Sequence, residues 1–275
     1  MTSADRHVAD TAIDCHATDD GVLRTAVFHL MTMPFTLRLR HADEPTLREA
    51  AASCRDLLSH VDRTFSPFRD DSLTSRANRG DWRGLLDDPD FHEVYARAAL
   101  AADVTHGHFR AMRDGRYDPV GLVKGWAIER AFTRFLRPLL AAGRAEAAAL
   151  GGGGDMQLGV ASGSGFVWGV GIEDPHDAGM LAGTVRLADG AVATSGTSKR
   201  GEHIDRTDDD LVQATVVGTH LTDADMWATT AIAAGRERFG TLVAGESDPL
   251  FSALLIDRNG AKHVVAPHPA AAPVA

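Results

Sequence analysis

Asp225 and Thr229 stand four residues apart in TDADMWATTAIAAG, residues 222–235. Side chains at i and i+4 share a helix face, so this carboxylate and hydroxyl would present two hard oxygens to one cation. Magnesium takes oxygen ligands and completes its octahedron with waters and substrate phosphates, so two protein side chains suffice. The same letters also spell a capping box, Thr222-x-x-Asp225, in which both side chains would serve only the helix's own first N–H groups. Pattern alone leaves both readings open.

A second stretch, YDPVGLVKGWAIERA (117–131), brackets Lys124 between Gly121 and Gly125 where a helix begins. Backbone N–H groups at a helix start, next to an ammonium, favour a phosphate. The spacing is not that of the common phosphate-binding loop, and a relaxed turn with a solvated lysine fits equally well. GGGGDM (151–156) offers backbone that could cradle a ligand, or simply a turn held by Asp155. AVATSGTSKRGEHID (191–205) ends a strand in Thr194-Ser195-Gly196 and then reaches His203, with Asp205 nearby, where general-base work is possible. No G-x-S-x-G elbow occurs, which argues against Ser195 as an esterase nucleophile.

Elements must hold these groups. AVFHL and PFTLRLR have strand character, the second setting Phe35, Leu37 and Leu39 opposite Thr36, Arg38 and Arg40. Helical periodicity follows over 45–61, 90–105 and about 122–142, with Pro138 placed to kink the third. The glycine run at 151–154 is expected to end the helical half. Beyond it MQLGV, FVWGVGI, GTVRLAD, AVATS and LVQATVVG read as short strands, a helix is expected over 223–235, and SALLIDRNGAKHVVA reads as a hairpin turning at Asn259-Gly260. The fold class expected is α+β: one layered domain of helices on a mixed or antiparallel sheet, over 21–267, with loose segments at 1–20 and 268–275.

Composition narrows the function classes. The 275 residues are 44% hydrophobic, ordinary for a globular chain, and the formal charge is -10. That charge, without a basic stripe, argues against nucleic acid as a partner. Cys15 and Cys54 have no metal-type spacing, and Cys54 falls on an apolar helical stripe. No apolar run reaches membrane-spanning length and the first residues have no secretory apolar core, so a cytoplasmic protein without membrane insertion is expected.

Taken in order, MTMPFTLRL, FSPFRDDSLTSRANRG, DPVGLVKGWAIERA, GGGGDMQLG, WGVGIEDP, AVATSGTSKRGEHI and ATVVGTHLTDADMWATTAIAAG resemble the FAD:protein FMN transferase family, also called the ApbE family. The resemblance spans roughly residues 25–260. It implies a T-fold-like domain and a magnesium-dependent enzyme. Such an enzyme splits the FAD pyrophosphate, attaches FMN through a phosphoester to a Thr or Ser of an acceptor flavoprotein, and releases AMP. It also implies that Asp225, Thr229 and the backbone oxygen of Gly121 hold the metal, and that Lys124 meets the phosphates. His203 is then the base that takes the proton of the incoming hydroxyl. Met31, Phe65, Phe68, Phe109, Asp118 and Ile204 fall in segments that shape the flavin and adenosine site. Three departures stand out: the family's Met-Gly-Thr is Met31-Thr32-Met33, Arg110 replaces an Asp, and HIDRTDDD lacks the usual Pro and Gly after the histidine. The same metal site would also serve an FAD pyrophosphatase giving FMN and AMP, and a chain that had lost turnover would be a non-catalytic FAD-binding protein.

Overall fold

Alternation over β3 (Met33–Arg40) shows how the sheet acquires its sides: Phe35, Leu37 and Leu39 are fully buried, while Pro34 and Arg38 are exposed. The computed structural model describes residues 12–196, 208–245 and 251–265. Nine strands form its main sheet in the order β1 (Asp14–Ala17), β2 (Leu23–Leu30), β3, β6 (Ala147–Gly152), β7 (Asp155–Val160), β10 (Gly190–Gly196), β11 (Leu211–Gly218), β12 (Phe251–Asp257) and β13 (Lys262–Val265). Every pairing between them is antiparallel.

Both faces of the middle strands are covered. Ala191 and Ala193 of β10 face a large core shared with the helices, whereas Val192 faces a smaller one. That smaller core is closed by a separate hairpin, β8 (Trp168–Glu173) and β9 (Leu181–Leu187), through Trp168, Val170, Ile172, Val185 and Leu187. Strands buried on both sides lose clean alternation and read as apolar runs, as LVQATVVG does.

The helical layer is inserted between β3 and β6. Helix α1 (Glu44–Phe65) starts at Asp43, whose side chain accepts the Thr46 N–H at 2.8 Å, and buries Leu47, Ala50, Ala51, Cys54, Leu58, Val61 and Phe65. Burial pushes the Cys54 thiol up to about 12, as expected for a core cysteine. Short α2 (Leu73–Asn78) is followed by a single 3-10 turn at Leu85–Asp87 and by α3 (Pro89–Val104), capped by Asp88. A small hairpin, β4 (Met112–Arg113) and β5 (Arg116–Tyr117), leads into α4 (Val120–Ala131). After β11 come α6 (Leu221–Ala234) and α7 (Arg236–Gly245).

Two expectations are corrected and a third is borne out. Residues 14–17, inside the segment expected to be loose, form β1, paired from Asp14 opposite Val27 to Ala17 opposite Arg24. The alanine-rich stretch before the glycine run is strand β6 rather than the end of a helix, because it is flanked by two ready partners, β3 and β7. The third helix reaches Ala141, close to the expected end, and is interrupted ahead of Pro138 as expected. It widens into a π turn at Phe132–Leu136 ahead of Pro138 and resumes as α5 (Arg137–Ala141), since proline lacks the N–H that a regular helix needs there.

Register brings the ends of several strands together. Phe35 pairs with Gly152, and Gly152 with Asp155, so the turns at 31–32 and 153–154 share one end of the sheet. The end of β10 reaches the same place, with Val192 opposite Met156.

Candidate active site

At that sheet end, helices α4 and α6 pack against each other and against β7 and β10, and the charged residues meet between them. The Lys124 ammonium contacts Asp155 Oδ2 and lies 3.5 Å from Asp225 Oδ1. All three side chains are withdrawn from water, at 10%, 0% and 3% exposure respectively. Such burial is tolerable only because each charge has a partner.

Backbone donors complete the arrangement. Asp155 Oδ1 accepts the Thr194 N–H at 2.9 Å, and Asp225 Oδ2 accepts the Gly125 N–H at 3.1 Å. Thr229 projects one turn beyond Asp225, its hydroxyl 3.3 Å from Ser195 Oγ. Thr194 Oγ1 in turn lies 2.9 Å from Thr215 Oγ1. Burial raises the Asp225 carboxyl above the ordinary carboxylate range; the Lys124 ammonium opposes this and the neighbouring Asp155 charge reinforces it.

Glycine permits the close approach. A Cβ on Gly125 would stand 2.8 Å from the Leu221 carbonyl oxygen and 2.9 Å from Asp225 Cβ. Only a residue without a side chain lets α4 and α6 pack so near. Gly121, one turn earlier, is less tightly placed: a Cβ there would stand 3.2 Å from the Phe109 ring and 3.8 Å from the Thr229 methyl group.

The capping-box reading of Thr222 and Asp225 does not hold. Helix α6 begins at Leu221, and the Thr222 N–H and hydroxyl both donate to Glu129 Oε2, at 2.9 and 2.6 Å. The Leu221 N–H donates to Gln157 Oε1 at 3.0 Å. With its early N–H groups served from other elements, the helix leaves Asp225 to face Lys124 and Gly125.

The structure therefore gathers Lys124, Gly121, Asp225, Thr229 and Phe109. Asp118 sits one step away, exposed, accepting the Val120 N–H at 3.1 Å at the start of α4. Met31 is half-buried in the hairpin turn between β2 and β3, with φ of 51°, followed by Thr32 at 61°. Phe65 lies in the core, stacked on Phe91 with centroids 5.9 Å apart and set edge-on to Trp126. Phe68 is its opposite, 93% exposed. His203 and Ile204 lie outside the described residues, as does Asp205. The sequence marks Asp155 only as a loop-holding residue and does not single out Glu129; the signals are an acid directly after four glycines and one a single turn beyond Gly125.

Among the described residues no group of three or more His, Cys, Asp or Glu side chains forms a ready metal cluster, and no helix is long and apolar enough to cross a membrane.

Comparison with known proteins follows this geometry. No curated protein matches the sequence. Solved structures do match the fold: an ApbE protein from Thermotoga maritima at 17% identity, with a TM-score of 0.70 over 87% of this chain and 96% of that one. The flavin transferase ApbE from Vibrio cholerae is 17% identical, with a TM-score of 0.67 over 92% and 97%. The flavinyl transferase ApbE from Pseudomonas stutzeri is 14% identical, with a TM-score of 0.68 over 93% and 96%. The model of the ApbE family matches residues 110–254, a stretch that contains Lys124, Asp155, Thr194, Asp225 and Thr229 and more than half of the sequence, so the chain belongs to the ApbE family.

Proposed function

We propose that the chain is a magnesium-dependent flavin transferase that cleaves FAD and attaches FMN to a Thr or Ser hydroxyl of an acceptor flavoprotein, releasing AMP. The observation that carries this reading is the buried group formed by Lys124, Asp155 and Asp225 beside the glycine-flanked start of α4. Two carboxylates around one ammonium leave an excess negative charge in a largely buried place.

The donor set fits a hard divalent cation. Asp225 is a buried carboxylate whose ionised form is under-compensated, and the Thr229 hydroxyl is presented beside it. In a regular helix the Gly125 N–H would serve the Gly121 carbonyl; here it donates to Asp225 Oδ2, so that carbonyl has a competitor for its donor and lone-pair capacity for a metal. Bound by these three oxygens, magnesium would neutralise charge on the pyrophosphate oxygens.

The protein's own part is positioning. Lys124 is held by Asp155 where it can meet a phosphate oxygen. The acceptor oxygen forms a bond to the FMN phosphorus as the anhydride P–O bond to AMP breaks, and the hydroxyl proton passes to a base, for which the family resemblance nominates His203.

Co-expression with a candidate acceptor domain, followed by intact mass, tests the proposal. A covalent gain equal to FMN, abolished by Asp225→Ala, is the expected result. Equal labelling by both proteins would overturn the metal assignment. Free FMN and AMP without a conjugate would make the chain a pyrophosphatase, and FAD bound without turnover would make it a binding protein.

A further inference from the structure

Helices α4 and α6 meet through three successive rungs. Gly121 faces Thr229, Gly125 faces Asp225, and Glu129 faces Thr222. The spacing is one turn per step on each helix, running in opposite directions, so fixing any rung fixes the others. Two rungs contain glycine, which offers no knob to lock into a groove; of these the Gly125 rung is held by one backbone hydrogen bond and the Gly121 rung faces only the Thr229 methyl group. The third is the only one with a long side chain on α4.

That third rung is strongly made. Glu129 Oε2 accepts the Thr222 N–H at 2.9 Å and the Thr222 hydroxyl at 2.6 Å, while Glu129 Oε1 lies 2.7 Å from His220 Nδ1. Its side chain is 20% exposed, and a carboxylate at a helix N-terminus also gains from the helix dipole. Helix α6 has no capping side chain of its own at His220, so Glu129 supplies from α4 what the local sequence does not.

We propose that Glu129 is a positioning residue for the metal site: by pinning the first turn of α6 to α4 it sets the register that brings Asp225 and Thr229 opposite Gly125 and Gly121. The inference rests on the metal-site reading above, and it concerns a residue that touches neither substrate nor metal. A helix slid by even part of a turn would carry Asp225 away from the Gly125 N–H and from Lys124.

The test is Mn2+ binding by the full chain, read from the electron paramagnetic resonance signal of the free ion. Wild type should bind and Asp225→Ala should not. Glu129→Ala should weaken binding by about tenfold or more, as losing a group that orients a ligand typically does. Glu129→Gln, which keeps an acceptor for Thr222, should recover most of the affinity. Thr222→Val should weaken binding less than Glu129→Ala, and the double variant should lose no more than Glu129→Ala alone. Val185→Ala, a truncation in the smaller core closed by β8 and β9, should lower stability and leave Mn2+ affinity unchanged. Should Glu129→Ala not fold, Glu129→Asp, whose shorter side chain draws back from Thr222, takes its place in the cycle, and additive losses overturn the proposal. Wild-type affinity in Glu129→Ala overturns it while leaving the metal site standing; no Mn2+ binding by wild type, or equal binding by Asp225→Ala, overturns both.

Discussion

The Asp225 carboxylate accepts the backbone N–H of Gly125 at 3.1 Å, across 100 positions of sequence. A carboxylate that close to another helix's backbone requires that nothing stand between them. Gly125→Ala would place a methyl group 2.8 Å from the Leu221 oxygen and 2.9 Å from Asp225 Cβ. Both contacts are too short, and both partners sit on a packed helix. The expected cost is about 1–3 kcal/mol in stability, with a larger proportional loss of FAD turnover. Urea unfolding and FAD cleavage measured on the same preparation check it; a variant with wild-type activity would mean that the α4–α6 spacing is not what the reaction needs.

Asp155 joins the lysine to β10, one oxygen facing the Lys124 ammonium and the other accepting the Thr194 N–H. Asp155→Asn can keep the second contact but must lose the charge that faces the ammonium. Displacing a positioned group by about 1 Å can cost on the order of a hundredfold in rate, and a loss of that size in kcat/KM for FAD is expected. Asp155→Ala removes both contacts, leaving Lys124 with Asp225 alone and the Thr194 N–H without its acceptor, at a cost of about 1–3 kcal/mol. Stopped-flow cleavage of FAD and thermal unfolding separate the two effects.

Phe65 and Phe68 are three positions apart and differ completely in surroundings. Phe65 is 2% exposed among Phe91 and Trp126, so Phe65→Ala should cost about 3–5 kcal/mol. Phe68, 93% exposed, should lose less than about 0.5 kcal/mol when cut to alanine. If Phe68 meets the flavin or adenine ring, its loss will raise the KM for FAD with kcat little changed. An unaltered KM would remove Phe68 from the binding site.

Met31 and Thr32 form a two-residue hairpin turn with both φ angles positive, 51° and 61°. Asparagine and glycine suit such a turn, whereas a β-branched residue is strained in it. Thr32→Gly should therefore stabilise the protein by roughly 1 kcal/mol, strain relief exceeding the added chain entropy. The urea midpoint at unchanged slope is the measurement, and a lower midpoint would show that the turn is comfortable as it stands.

Much of the fold was legible because its signals are local. The Leu47-to-Val61 stripe gave α1, the Phe35, Leu37, Leu39 alternation gave β3, and Asn259-Gly260 falls in the turn between β12 and β13. The missed strands had no such signal. DCHA at 14–17 is mostly polar because an edge strand faces water, and AAALGG at 147–152 is small because helices press on one side of it. Within the site, Asp225, Thr229, Lys124 and Gly121 could be picked out by spacing within single segments. Asp155 and Glu129 could not, since their partners are Lys124 and Thr194 in one case and Thr222 and His220 in the other. Nothing in a pairwise spacing encodes contacts made through the tertiary fold.

The remoteness of Lys124 from Asp225 also has a temporal side. At about 5–20 residues per second a ribosome needs roughly 5–20 s to pass from one to the other. Until Asp225 has been made the ammonium has at most one of its two carboxylate partners, and the site is complete only when the second helix docks. Docking of α6 is thus the step that brings all three charges together, which places assembly of the site late in the synthesis of the chain.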